Sequence, residues 1–311
     1  MKSNSLVSIV VVTYNSSDFV LETLESAYNQ TYDNIELIIS DDASTDNTIE
    51  VVKQWENENK DRFVDFKIIS TPFNTGVAAN LNRGIKECKG EWVKTIAGDD
   101  ILLPDCIKHC ISFTNDHSGC NALFSRMKFF KVNNGKKEYV TYKTLLDDEI
   151  YAKEFISSNA KEQFRLNLKD GGVVQAPTAF FRLTLLQRNP FPEKYKYCED
   201  YPMWLQLTHN GYKLDFMPIE TVAYRFGNSL SYRKFDYFSK NYMHTLSLFF
   251  WNEGYNFFKE ENMLESYNLY RKKMLVYELT EVFTRNKKNI INTILVHLFN
   301  TIVYKFGRYR F

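Results

Sequence analysis

The sequence predicts an α/β protein: a mostly parallel β-sheet flanked by helices, with a helical C-terminal extension. Three observations predict it. The first hundred or so residues alternate apolar, β-branched runs with segments whose apolar residues recur at helical spacing. Acidic pairs stand just after those runs or at helix starts, and the carboxyl edge of a parallel sheet is where such folds bind ligands. Hydrophobic residues make up 44% of the 311-residue chain, enough for a sizeable core.

Residues 7–12 form the first apolar run, of the kind a buried parallel strand needs. Ser16, Ser17 and Asp18 offer N-caps for a helix whose apolar face holds Leu21, Leu24, Ala27 and Tyr28. Residues 35–39 read as the second strand. Asp46 and Asn47 can cap the next helix, which carries Ile49, Val52 and Trp55. Residues 66–69 make a third strand, Val77, Leu81, Ile85 and Cys88 mark a helix, and residues 92–96 make a fourth strand. Pro104 suits a helix's first turn, and beyond it the rhythm changes. Residues 124–132 and 138–142 flank Asn133-Asn134-Gly135, a hairpin turn. Residues 148–168 read as one polar helix. Gly171-Gly172 and five prolines from Pro177 to Pro218 punctuate a mixed region, and the chain beyond Ser231 looks helical to its end.

Composition narrows the function classes. A formal net charge of +1 gives no ground for nucleic-acid binding. The polar residues 1–6 run straight into a strand and leave no room for a signal peptide. The five cysteines are odd in number and scattered, with no Cys-x-x-Cys pair. Cys106 and Cys110 with His109 between them fit helical spacing on an apolar face better than a zinc site. Reduced thiols without an export signal point to the cytoplasm.

Asp41-Asp42 follows the second strand, Asp99-Asp100 follows the fourth, and Glu199-Asp200 opens a helix containing Trp204 and Leu207. Oxygen ligands on the crevice side suit Mg²⁺ or Mn²⁺ bridging a diphosphate, because hard cations prefer oxygen and take phosphate as co-ligand. For any one pair alone, helix N-capping is the better account; three pairs on the predicted crevice side favour the ligand site. There is no G-x-x-x-x-G-K-[ST] loop, no G-x-G-x-x-G fingerprint and no serine-centred nucleophile elbow, and only 12 glycines. A nucleotide here would be held by carboxylates, metal and hydroxyls.

The ordered motifs resemble those of family 2 glycosyltransferases with the GT-A fold, a Rossmann-like arrangement. The run from Val7 to Asn15 and the segment Asp41-Asp42-Ala43-Ser44-Thr45-Asp46 resemble the family's opening. Asn74-Thr75-Gly76, Asn82-Arg83-Gly84, Gly98-Asp99-Asp100 and Glu199-Asp200 continue in order, and Tyr224-Arg225 with Ser229 and Ser231 resembles the closing segment. The resemblance covers about residues 5–232. It implies a nucleotide-sugar-binding half over residues 1–110, an acceptor-binding and catalytic half over 111–232, and a helical extension over 233–311. It further implies that Thr13, Tyr14, Asn15, Asp42, Asn74 and Gly76 line the nucleoside pocket, with Asp42 accepting from the base. Asp99 would contact ribose, Asp100 hold the Mn²⁺ or Mg²⁺, and Asp200 act as catalytic base with Glu199 beside it. The implied enzyme is an inverting, metal-dependent hexosyltransferase with a UDP-sugar donor first in line (dTDP and GDP open) and a saccharide acceptor, lipid-linked in O-antigen or capsule synthesis. A sugar nucleotidyltransferase would need a glycine-rich basic loop that residues 13–16 do not supply. A silent binding scaffold would be free to lose Asp42, Asp100 or Asp200.

Departures from the pattern sharpen the expectation. Gly98 stands where relatives carry the first acid of D-x-D, leaving the metal to Asp100. Leu81 replaces an Arg that could contact the diphosphate, and Phe226-Gly227 replaces a histidine, so that Arg225 becomes the candidate diphosphate lid, with a strand-end salt bridge as the alternative. Residues 287–311 carry an apolar stripe, Ile290 to Phe306, flanked by Lys287, Lys288, Lys305, Arg308 and Arg310. It is too short and polar to span a bilayer. An amphipathic helix on an anionic membrane surface fits, placing the protein on the inner face of the cell membrane; packing on the catalytic domain or a second subunit is the alternative.

Overall fold

A computed structural model of the chain describes residues 4–226, 240–284 and 294. The chain divides into two compact units: residues 1–164 with 172–226, and residues 165–171 with 227–311.

The first unit is built on a nine-stranded sheet. Its strands are β1 (Val7–Thr13), β2 (Ile35–Asp41), β3 (Phe66–Ser70), β4 (Trp92–Ala97), β5 (Ile101–Leu102), β6 (Ala122–Asn133), β7 (Lys136–Val140), β8 (Phe180–Arg182) and β9 (Asp215–Arg225). They lie in the order β3-β2-β1-β4-β8-β6-β9-β5, with β7 on β6. The first four strands are parallel, Val7 of β1 standing opposite Ile35 and Trp92. β8 runs antiparallel to both β4 and β6, whereas β6 and β9 pair in parallel across a bulge. Helices α1 (Val20–Tyr28), α2 (Thr48–Asn59), α3 (Val77–Lys86) and α4 (Cys106–Asp116) connect the first strands, followed by α5 (Glu149–Ser157), α6 (Ala160–Asp170), α7 (Leu183–Arg188) and α8 (Asp200–His209).

The β-branched residues expected to be buried are buried. Ile9, Val11, Leu37 and Ile39 pack with Leu24, Val52, Trp55, Ile107 and Cys110 in one core. α3 lies close on the sheet, because a Cβ on Gly84 would stand 2.5 Å from Val10 Cγ1. At the hairpin, Asn134 (φ 50°) and Gly135 (φ 74°) both take left-handed conformations, which a two-residue turn between twisted strands demands.

Several local expectations are corrected. Leu21 and Tyr28 are 48% and 36% exposed; the buried face of α1 is Val20, Thr23, Leu24 and Ala27. Thr23 sits inside because its hydroxyl donates to the Asp100 carbonyl at 2.7 Å. Neither Ser16, Ser17 nor Asp18 caps α1, whose N-cap is Phe19 without a side-chain bond. Instead the Ser16 and Ser17 amides donate across to Thr48 Oγ1 and Asp46 Oδ2, 2.8 and 3.1 Å away at the start of α2. The single polar helix expected over 148–168 is two, broken at Ser158. Asn159 and Glu162 exchange side-chain-to-amide bonds of 2.8 and 3.0 Å, which starts a new helix.

The second unit is helical as expected: α9 (Lys240–Phe249), a wide π turn over Phe250–Gly254, α10 (Tyr255–Glu260) and α11 (Leu264–Thr284). Met243, Met274 and Tyr277 form its core. Among the described residues no helix is long and apolar enough to cross a membrane. The stripe assigned to residues 287–311 lies outside the described residues, Ile294 excepted, as do Ser229 and Ser231.

Candidate active site

The carboxyl ends of β1, β2, β3 and β4 share one edge. Thr13 ends β1 and donates its hydroxyl to Asp41 Oδ1 at 2.8 Å, while its carbonyl accepts the Asp42 amide at 3.0 Å. Asn15 turns the chain in a left-handed conformation (φ 51°), which asparagine tolerates. Its Oδ1 accepts the Thr45 amide, and its own amide donates to Ser44 Oγ, both at 2.8 Å. Tyr14 between them is half-exposed on the edge.

Asp42, only 2% exposed, is engaged through both oxygens. Oδ2 accepts the Gly76 amide at 2.7 Å, and Oδ1 the Thr75 hydroxyl at 2.6 Å and Arg83 Nη2 at 3.3 Å. This carboxylate therefore folds the Asn74-Thr75-Gly76 turn, whose Gly76 (φ 97°) caps α3. Arg83 also reaches Thr75 Oγ1 and Asn80 Oδ1, so it braces the same turn.

Gly98 has no room for a side chain. A Cβ there would lie 2.9 Å from Thr13 Cγ2 and 3.3 Å from Ser16 Cβ, a local reason for the missing first acid. The turn continues into Asp99 and Asp100 and then β5, which pairs antiparallel with β9. That register returns Arg225, the last residue of β9, to the turn. Its amide donates to Asp100 Oδ1 and its Nε to the Asp99 carbonyl, both at 2.9 Å, while Nη2 pairs with Glu22 of α1. The guanidinium lies between the rings of Phe19 and Phe130, 4.6 and 4.7 Å from their centroids, and is 4% exposed. Arg225 thus takes the strand-end salt bridge and braces the Asp99–Asp100 turn from within, away from the lid position expected of it.

Burial raises both acids of this turn, against the pull of Arg225 on Asp99 and with added repulsion from Asp99 on Asp100. Asp100 is 1% exposed, and among the described residues only its Oδ1 has a hydrogen-bond partner. Two hard oxygen-bearing side chains, crowded and short of positive charge, fit a divalent cation. Among the described residues no group of three or more His, Cys, Asp or Glu side chains gathers to hold one alone. A cation at Asp100 would draw its other ligands from phosphate and water, as Mg²⁺ commonly does.

Glu199 and Asp200 begin α8, with Glu199 as N-cap and Asp200 Oδ1 accepting the Tyr201 amide at 2.7 Å. Burial pushes the Glu199 carboxyl up to about 8, helped by the Asp200 charge beside it, and burial raises Asp200 too. The loop carrying them is fastened to α3 by Asn82. Its Nδ2 donates to the Phe191 carbonyl and to Glu193 Oε1, and its Oδ1 accepts the Phe191 amide, all at 2.9 Å. Lys196, on the same loop, lays its methylenes across Gly76 and reaches the Asn74 carbonyl at 3.4 Å.

Hydrogen bonds therefore join Thr13, Asn15, Asp42 and the Asn74–Gly76 turn, and through Lys196 the loop that leads to Glu199 and Asp200, while Asp99 stands in the turn after the neighbouring β4, held by Arg225. The sequence reading missed Thr23, Asn82, Arg83 and Lys196 as parts of this framework. Asn82-Arg83-Gly84 had signalled a motif without assigning its side chains a task.

The Glycosyl transferase family 2 model matches residues 8–187. A Rickettsia felis protein described as an uncharacterized glycosyltransferase is 29% identical over 201 residues, covering 65% of this chain. This chain spans only 30% of that relative's length. Among solved structures, S. aureus TarS 1–349 in complex with UDP-GlcNAc superposes with a TM-score of 0.58 at 20% identity, over 90% of this chain and 74% of that one. The mannosyltransferase PcManGT from Pyrobaculum calidifontis, in complex with GDP-Man and Mn²⁺, gives a TM-score of 0.54 at 20% identity over 71% and 56%. These structures share the fold, a GT-A-type sheet flanked by helices. With more than half its length matched in a single span that begins at β1 and takes in the whole Asp99–Asp100 edge, the chain belongs to glycosyl transferase family 2.

Proposed function

We propose that this chain transfers a sugar from a nucleotide-diphosphate donor, a UDP-sugar first, to a hydroxyl of a saccharide acceptor with inversion at the anomeric carbon. The observation that carries the reading is the Glu199–Asp200 pair, two carboxyls raised by burial at a helix start and fastened by Asn82 to the helix that shapes the nucleotide edge. A sugar hydroxyl is a poor nucleophile near neutral pH. A positioned carboxylate that takes its proton contributes on the order of 10²–10⁴-fold, and one whose proton affinity is lifted toward that pH is the better base. Asp200 takes the acceptor proton, and Glu199, pushed up to about 8, keeps its own proton near neutral pH and leaves Asp200 the charged member of the pair. In-line attack on the anomeric carbon from the face opposite the departing diphosphate inverts its configuration.

Tyr14 and the Asn74–Gly76 turn border the base, with Asp42 setting that turn through its bonds to Thr75 and Gly76. Asp99 faces ribose and Asp100 holds Mn²⁺ or Mg²⁺. The ion would supply positive charge to the diphosphate as the bond to sugar breaks. The complexes of TarS with UDP-GlcNAc and of PcManGT with GDP-Man and Mn²⁺ support a nucleotide-sugar donor and a divalent ion. We place the acceptor among lipid-linked saccharides of surface polysaccharide synthesis, with residues 287–311 resting on the inner membrane face.

A thermal-shift panel of UDP, GDP and dTDP with and without Mn²⁺ tests the donor assignment. A ligand at a hundredfold excess over its Kd stabilises the folded state by about 2.7 kcal/mol. Asp100→Ala should lose the Mn²⁺-dependent part of the shift. Asp200→Asn should keep the shift and lose transfer. No shift with any nucleoside diphosphate overturns the donor, and transfer at the normal rate by Asp200→Asn overturns the base.

A further inference from the structure

The donor's diphosphate needs positive charge from the protein, and the obvious cations of this edge are committed elsewhere. Leu81 is apolar and buried in α3. Arg83 is bound to Asp42, Thr75 and Asn80. Arg225 is buried against Glu22 and the Asp99 carbonyl. Lys94 is fully buried, its Nζ held by the Pro177 and Ala179 carbonyls.

Lys196 differs from all four. Its side chain runs along the Cα of Gly76, so closely that a Cβ there would meet Cγ at 2.5 Å, Cε at 3.2 Å and Cδ at 3.3 Å. Gly76 also has φ 97°, a conformation glycine accepts freely, so the turn is shaped both for its own bend and for this lysine. The stem is thereby held while the ammonium is left under-used. Among the described residues Nζ has one hydrogen bond, a long one of 3.4 Å to the Asn74 carbonyl, and no ion pair. It stands at the turn that Asp42 builds and three residues ahead of Glu199, on the loop fixed by Asn82. An ammonium with three donors, whose charge meets the Tyr197 ring 5.7 Å away and no carboxylate among the described residues, is suited to a phosphate oxygen as a point contact.

We propose that Lys196 is the residue that binds the diphosphate of the donor, exchanging its bond to the Asn74 carbonyl for phosphate oxygen. The proposal rests on the nucleotide-sugar reading above. Isothermal titration with Mn²⁺ present, comparing UDP with uridine (GDP with guanosine where GDP binds the wild type), separates the phosphate contact from the base contact. Lys196→Met keeps the stem against Gly76 and removes the charge. It should weaken nucleoside diphosphate binding about tenfold, leave nucleoside binding unchanged, and be partly rescued by Lys196→Arg. Unaltered diphosphate affinity in Lys196→Met, with normal binding by the wild type, overturns the role of Lys196 alone. An equal loss of nucleoside affinity does the same, because it would show that the side chain only shapes the turn. A wild type that binds no nucleoside diphosphate overturns the donor reading and this assignment together.

Discussion

Replacing Asn82 with alanine tests how the loop leading to Glu199 and Asp200 is held. The wild-type amide makes three bonds of 2.9 Å across 109 to 111 residues of chain: two with the backbone of Phe191 and one with Glu193. Phe191 is buried, so truncation strands an amide and a carbonyl away from water. Each stranded group costs about 1–3 kcal/mol, and the exposed Glu193 adds little. The expected loss is therefore about 2–6 kcal/mol, or roughly 4–24 °C in Tm at the 2–4 °C per kcal/mol usual for large domains. Urea unfolding followed by circular dichroism measures it. Asn82→Asp, which keeps an acceptor for the Phe191 amide but turns a carboxylate oxygen toward the Phe191 carbonyl and Glu193, should lose at least as much. Because Arg83 and Asp42 are untouched, kcat should fall further than nucleotide affinity. An alanine variant within about 0.5 kcal/mol of wild type, or one with unchanged kcat, would refute the view that Asn82 fastens this loop.

Transfer should rise with pH through the raised titration of Asp200, since the base must be ionised, and because burial and not the Glu199 charge raises it, Glu199→Gln should leave that limb of the kcat/KM profile in place. The same shift governs stability: the folded state holds protons on the pair that the unfolded chain releases, so its contribution is full below the ordinary carboxylate range and is lost as pH rises to about 8. Urea midpoints at pH 5 and pH 8 should show a smaller difference in Glu199→Gln than in wild type. Gly98→Ala should destabilise the protein by about 1–3 kcal/mol, because the new methyl meets Thr13 Cγ2 at 2.9 Å, and thermal denaturation reads this directly. Truncation after Arg285 should release the protein from anionic vesicles in a sedimentation assay; continued sedimentation would count against the membrane-surface role of residues 287–311.

The parallel half of the sheet was plain in the sequence because buried strands announce themselves as apolar runs, and residues 7–12 and 35–39 are such runs. Beyond it the β6–β7 hairpin was legible in Asn133-Asn134-Gly135, but β8 was not, because it is three residues long and takes its place from pairing with β4 and β6, not from its own pattern. Leu21 and Thr23 exchanged expected places for a reason no periodicity carries: a threonine may be as buried as a leucine once its hydroxyl finds a distant carbonyl. The break at Ser158 was legible, since Asn159 and Glu162 stand at capping-box spacing. Asp41-Asp42 and Asp99-Asp100 do stand at the carboxyl ends of β2 and β4, but what each carboxylate bonds to depended on partners far along the chain. Asp42 meets Thr75 and Gly76, and Asp100 meets Arg225, at separations that only the folded chain closes.

The exchange of bonds between the first two loops has a consequence for folding. The amides at Ser16 and Ser17 are satisfied by Thr48 and Asp46, and the amide at Thr45 by Asn15. Each loop takes part of its backbone hydrogen bonding from the other, so loosening one loosens the other. A change imposed on either loop should therefore be felt in both, and the two should lose order over the same range of temperature.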